Sequence, residues 1–164
     1  MALASAVGGG NKIFKSTITN HYVRRVVDKS QRIHVYLSAD ATDATNQNVE
    51  FILEPASDGS GMCHIKCRDT NKYWQVKSAQ PADQSWITAD ADATNEDRQS
   101  LACTLFAIEY FGTSPTTTIR LRHCYLKRYA CVHNGHRTPP NSLCALSEST
   151  DKDSKDVFVY SECK

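Results

Sequence analysis

The sequence predicts an all-β chain, and three observations predict it. A unit of about 50 residues recurs three times, short runs alternate apolar with polar residues, and no long helical period appears. The repeat is read by overlay. Phe14-Lys15-Ser16 falls on Ile65-Lys66-Cys67 at an offset of 51, and Thr19-Asn20-His21-Tyr22 falls on Thr70-Asn71-Lys72-Tyr73 at the same offset. Leu37-Ser38-Ala39-Asp40-Ala41 matches Ile87-Thr88-Ala89-Asp90-Ala91 at an offset of 50, and Val49-Glu50-Phe51 meets Leu105-Phe106 at 55. A fainter third copy sets Leu121-Arg122-His123 on Ile65-Lys66-Cys67 and Tyr129 on Tyr73, both at 56. It places Leu146-Ser147-Glu148 near Ile87-Thr88-Ala89, and Val157-Phe158-Val159 repeats the closing aromatic. Charge divides the chain in the same way. No Lys or Arg lies between Arg32 and Lys66 or between Lys77 and Arg98, and no acid lies between Glu109 and Glu148. Each unit starts basic and ends acidic.

The first unit places strands near 13–18, 22–27, 33–37 and 49–54. The second places them near 62–68, 72–77, 85–89 and 103–110; in its first strand Cys63, Ile65 and Cys67 alternate with His64, Lys66 and Arg68. The third places them near 117–123, 128–133, 142–146 and 156–160, where Ile119, Leu121 and His123 alternate with Arg120 and Arg122. Asn, Asp, Gly and Pro part these runs. A single 3₁₀ turn is expected over 95–102. Neither end unit looks like a polar-faced cap, so a closed barrel is expected rather than a solenoid, and closure also removes sheet edges. The expectation is a β-trefoil: twelve strands in three pseudo-threefold repeats, forming one domain over 11–164 after a flexible leader at 1–10.

Composition excludes several function classes. At 164 residues, 40% hydrophobic and 23% charged, the chain fits one soluble globular domain. A net charge of +1 excludes a surface built wholly to grip nucleic acid or anionic lipid. No window holds a dozen consecutive apolar residues, so no membrane insertion is expected. The first ten residues lack the basic and apolar regions of a secretion signal, and a cytoplasmic or nucleocytoplasmic location is expected.

Seven cysteines cannot all pair internally, no Cys-x-x-Cys occurs, and they are read as small buried residues. Of Cys124, Cys131, His133, His136 and Cys144 only the two histidines are tightly spaced, so no metal is expected. The run Asp90-Ala91-Asp92 with Asn95, Glu96 and Asp97 lacks the glycine of a calcium loop and is read as a solvated acidic loop. Hydrolase and phosphate-loop motifs are absent, so neither enzymatic activity nor a cofactor is expected. Arg120, Arg122, Lys127, Arg128 and Arg137 beside Tyr125 and Tyr129 are read as a solvated strand face rather than a nucleic-acid track.

The stretch from Gly61-Met62-Cys63-His64-Ile65-Lys66-Cys67 through Arg68-Asp69-Thr70-Asn71-Lys72-Tyr73-Trp74 resembles the amaranthin-like agglutinin domain of plants. So do Ser85-Trp86-Ile87-Thr88-Ala89-Asp90, Ala102-Cys103-Thr104-Leu105-Phe106 and Ser154-Lys155-Asp156-Val157-Phe158. The resemblance implies a β-trefoil lectin domain, non-enzymatic and metal-independent, in a family whose best-known member recognises the Galβ1-3GalNAc disaccharide and N-acetylgalactosamine (GalNAc). It implies glycans with terminal galactose or GalNAc as partners, and a homodimer as one way for a one-domain chain to rebuild the family's inter-domain site. It also points to the loop Asp83-Gln84-Ser85-Trp86, in which the family carries a tyrosine where Ser85 stands. Physical chemistry supports such a loop. A galactose-type sugar offers an apolar C–H face and a rim of hydroxyls, so it needs an aromatic plate and fixed polar partners. Asp83, Gln84 and Ser85 supply partners beside Trp86, and Trp74 is a second plate. Tyr22 and Tyr73 stand at equivalent places and are expected in the barrel core. The alternative function is a module that binds protein or nucleic acid with its sugar site decayed.

Overall fold

The computed structural model describes residues 11–79, 84–111, 117–135, 138–148 and 156–162. The expected leader at 1–10, Asp83, His136, Arg137 and Cys163 lie outside them. The strands are β1 (Asn11–Ser16), β2 (Tyr22–Val27), β3 (Val35–Ala41), β4 (Phe51–Pro55), β5 (Cys63–Cys67) and β6 (Tyr73–Ala79). They continue with β7 (Gln84–Ala91), β8 (Leu105–Phe111), β9 (Thr117–His123), β10 (Tyr129–His133), β11 (Ser142–Ser147) and β12 (Phe158–Glu162). Each overlaps one expected strand. The expected 3₁₀ turn is corrected: within 95–102 the chain makes turns at 98–102, and among the described residues the 3₁₀ segment is Gln47–Val49, capped by the Asn46 side chain accepting from the Asn48 N–H.

The repeat is written most clearly in one turn. The backbone N–H of Ser16 donates to His21, that of Cys67 to Lys72, and that of His123 to Arg128, at 2.8–2.9 Å. Asn20, Asn71 and Lys127 donate back to Ser16, Cys67 and His123. Those three residues take left-handed backbone at φ 58°, 58° and 59°. Asparagine enters that region readily, whereas Lys127 carries the strain of an ordinary L-residue there. Next to each turn a cation lies over a tyrosine ring: Lys15 over Tyr22, Lys66 over Tyr73 and Arg122 over Tyr129. Tyr73 and Tyr129 donate their hydroxyls to Glu54 and Glu109. The expectation that Tyr22 and Tyr73 fill the barrel core is corrected. Tyr22 and Tyr73 are half-buried, because each ring has to serve a cation on one side.

Closure departs from the expected plan. The ladder runs β11-β3-β2-β1-β12-β9-β8-β5-β6-β7, and β7 pairs back to β11. It is a closed antiparallel barrel of ten strands, with two strands off the path: β4, against β1 and β5, and β10, against β11 and β9. The expected β-trefoil is therefore corrected. A ring that treated three units alike would place equivalent strands alike, but β4 is the fourth strand of its unit and β10 the second. The residues that join the hairpins also differ from unit to unit: Ser142 meets Ser38, whereas Cys144 meets Trp86. The all-β class and the twelve strands stand.

Register corrects the third copy as well. Ala39 faces Val23, Ala89 faces Trp74 and Ala145 faces Ala130, so Leu143-Cys144-Ala145, not Leu146-Ser147-Glu148, matches Ile87-Thr88-Ala89. The closing aromatics are in step: Phe51 faces Cys67, Phe106 faces His123 and Phe158 faces Ser16. With Phe14 and Trp74 they fill one core, in which Trp74 meets Phe14, Phe51 and Phe106 at centroid distances of 5.7, 5.1 and 6.1 Å. A buried ion pair joins β9 to the segment leading into β12: Arg120 Nε donates to Asp156 at 3.0 Å, and Ser147 Oγ donates to the same carboxylate at 2.5 Å.

Candidate functional site

The structure divides the expected site residues between interior and surface. Trp74 has no exposed surface, and that corrects its reading as an aromatic plate, since a plate needs a free face. Trp86 is 4% exposed and also lies inside. Both follow from their strands. Trp74 and Val76 on β6 point with Ile87 and Ala89 of β7 into the main core, while Trp86 is covered where β7 meets β11. Ser85 is half-buried on β7, opposite Ser78, and the backbone of Gln84 pairs with Ala79. The hairpin thus brings the backbones of Gln84 and Ser85 to one end, and Asp83 lies outside the described residues.

A built polar cluster stands further along the same hairpin. Asp90 Oδ1 accepts from Gln75 Nε2 at 2.8 Å and from Thr88 Oγ1 at 2.7 Å, while Oδ2 accepts from Lys77 Nζ at 2.7 Å. The cluster is open to water: the Lys77 and Asp90 side chains are 46% and 27% exposed. A register shift between Tyr73 and Trp74 places Asp90 there, since the bulge frees one residue of β7 from the ladder. The same shift recurs at Tyr22/Val23 and at Tyr129/Ala130. It presents Asp40 in the first unit, held by Arg24 through Nε at 2.6 Å and Nη2 at 3.0 Å, and Leu146 in the third. Sequence reasoning passed over Gln75, Lys77 and Thr88. The signal was there in the matched Asp40 and Asp90. A fixed carboxylate flanked by an amide, a hydroxyl and an ammonium can take a pair of adjacent hydroxyls, the carboxylate accepting from one and the ammonium donating to the other.

A family model described as Agglutinin domain matches residues 11–162. The chain belongs to the agglutinin-domain family. No curated protein matches it. Among solved structures, this agglutinin domain is similar to the designed threefold-symmetric protein ThreeFoil, with TM-score 0.69 and 12% identity over 94% of this chain and 100% of that one. It is similar to the ricin B-like lectin of Macrolepiota procera in complex with lactose, with TM-score 0.62 and 9% identity over 97% of this chain and 100% of the lectin. It is also similar to lysenin in complex with phosphocholine, with TM-score 0.62 and 16% identity over 96% of this chain and 46% of lysenin. At these identities the likeness is one of fold.

Elsewhere in the agglutinin domain most charged groups are spent on partners. The acidic loop read as solvated is tied down: Lys72 bonds Asp92, and Glu96 accepts from Ser57 and bonds His64 Nε2 at 2.8 Å. In the basic third unit Arg120 turns inward to Asp156 and Arg128 pairs with Glu148. Among the described residues no group of three His, Cys, Asp or Glu could hold a metal ion, and no helix is long and apolar enough to cross a membrane.

These partners make stability depend on acid. Burial opposes charge at Asp90 and Asp40, but bonds from Lys77, Gln75 and Thr88, and from Arg24, outweigh it and hold both carboxyls below the ordinary 3.8. The Ser57 bonds hold Glu96 below 4.5. Burial holds the His123 imidazole below its ordinary 6.5, and it stays neutral, donating from Nε2 to the Cys103 carbonyl at 2.9 Å. For the lowered carboxyls, stability is present above the unfolded value and is lost as pH falls through the folded one. For the lowered histidine the unfolded chain takes up its proton first, so stability falls as pH drops below 6.5. Both effects have one sign. Urea denaturation is expected to give a lower midpoint at about pH 5 than at about pH 7, and a steeper loss below about pH 4.

Proposed function

We propose that the chain is a non-enzymatic carbohydrate-binding module that takes galactose- or GalNAc-containing glycans at the β6–β7 hairpin. The match to the agglutinin-domain family over residues 11–162 carries this reading. The lactose-bound lectin of similar fold supports a galactose-type ligand. Asp90 would accept from a sugar hydroxyl pair and Lys77 donate to it, with Gln75 and Thr88 holding the carboxylate in place. Asp83, Gln84 and Ser85, which the resemblance points to, are proposed as further contacts of the same sugar. Trp86 and Trp74 would support the strands from inside. A contact of few polar groups without a stacked ring binds weakly, so avidity would come from more than one copy, a homodimer being the simplest.

A glycan array probed with the protein clustered on a multivalent support tests this reading. Spots with terminal galactose or GalNAc are expected to bind, and Asp90→Ala is expected to lower that signal at least about tenfold, the loss of a charge-assisted bond pair, while the circular dichroism spectrum is kept. Silence across the array would overturn the reading. Steeply salt-dependent binding of single-stranded RNA would favour a nucleic-acid module instead.

A further inference from the structure

Cys103 and Cys124 form a pair that the site does not use. Cys103 lies just before β8 and Cys124 just after β9, so the two flank the open end of the β8–β9 hairpin. Their Sγ atoms are 2.7 Å apart, inside the ~3.5–4.0 Å at which unbonded carbon-sized atoms rest. Both backbones are anchored. The Cys124 N–H donates to the Leu105 carbonyl at 3.2 Å, the Cys103 N–H to Ser100 at 3.1 Å, and the Cys103 carbonyl accepts from His123. The pair sits in its own small apolar cluster with Ala56 and Leu105, and Met62 packs against it. Neither sulfur has to move past another side chain to reach its partner. The other described cysteines differ: Cys63 and Cys67 lie on one face of β5, and Cys131 faces Cys144 across a ladder.

We propose that Cys103 and Cys124 close into a disulfide that seals this end of the hairpin when the domain meets an oxidising small-molecule disulfide such as oxidised glutathione. In the first exchange the Cys124 thiolate attacks one sulfur of the oxidant, and the other leaves as a thiolate. The Cys103 thiolate then attacks Cys124 Sγ, and the second half of the oxidant leaves. Two thiols become one disulfide, and the two protein protons pass by way of solvent to the two leaving thiolates, so that the oxidant ends as two thiols. Burial raises the Cys124 thiol above its ordinary value, so little thiolate is present at neutral pH and the exchange is slow, quickening as pH rises.

The test uses the full chain, incubated with oxidised glutathione at mildly alkaline pH, then alkylated, digested and mapped by mass spectrometry. The expected result is a Cys103–Cys124 linked peptide, with two of the seven thiols lost to alkylation under denaturing conditions. The oxidised protein is expected to melt about 5–10 °C higher than the reduced one, a shift reversed by dithiothreitol, as for a closed loop of this length. Cys103→Ala and Cys124→Ala are each expected to abolish the shift. Should either variant fail to fold, the peptide map of the unmodified chain still decides. No linked peptide, or a Cys131–Cys144 link forming first, overturns the proposal.

Discussion

Trp74→Ala is expected to remove a large share of the stability of the domain, about 3–5 kcal/mol against a total of about 5–15 for proteins of this kind. The indole has no exposed surface and is ringed by Phe14, Phe51 and Phe106, which come from strands far apart in sequence. Truncation leaves a cavity between those rings, and they are held by their own ladders and cannot collapse into it. Urea denaturation reads the loss as a fall in midpoint with the slope kept. Trp86→Ala is expected to act in the same direction, since 4% exposure leaves it little free face. A Trp74→Ala protein with an unchanged midpoint and lost sugar binding would restore the aromatic-plate reading.

Asp156→Ala is expected to cost a further sum of the same order, about 3–5 kcal/mol, because a buried ion pair loses one member. Asp156 is fully buried and accepts from Arg120 Nε at 3.0 Å and from Ser147 Oγ at 2.5 Å. Removing the carboxylate leaves the guanidinium, itself 7% exposed, in the interior without that anion. The pair joins β9 and β11 to the segment leading into β12, which pairs with β1, so its loss loosens chain closure. The double variant Arg120→Met/Asp156→Leu is expected to recover much of the loss, since two apolar side chains need no counter-charge. If the single variant costs less than about 1 kcal/mol, the ion pair does not hold β9 to the segment before β12.

How much of this was legible can be judged element by element. Strand positions were, because apolar alternation and turn residues act locally and the repeat checks each run against two others. Asn20 and Asn71 announced their turns, since a left-handed residue is cheap in asparagine; Lys127 hid the third. The third copy was misplaced by three residues at Leu146 because its bulge residue is apolar where the other two are Asp40 and Asp90. The site was half legible. Asp90 stood in the alignment, but Gln75, Lys77 and Thr88 meet it only across paired strands, a relation fixed by register rather than by spacing. Arg120 looked like a solvated cation, and nothing near it in sequence says that Asp156 will reach it.

The sequence by itself determined an all-β chain with twelve strands in repeated units, because periodicity and turn chemistry are properties of neighbouring residues, and its own stretches such as 61–74 carried the likeness to the agglutinin-domain family. Only the tertiary structure decided how those strands close, into a ten-strand barrel with β4 and β10 outside it, since closure depends on single cross-strand contacts such as Cys144 with Trp86. It also decided which tryptophans are core and which acid is presented. A side chain's alternation says which face of a strand it takes, and only packing says what covers that face.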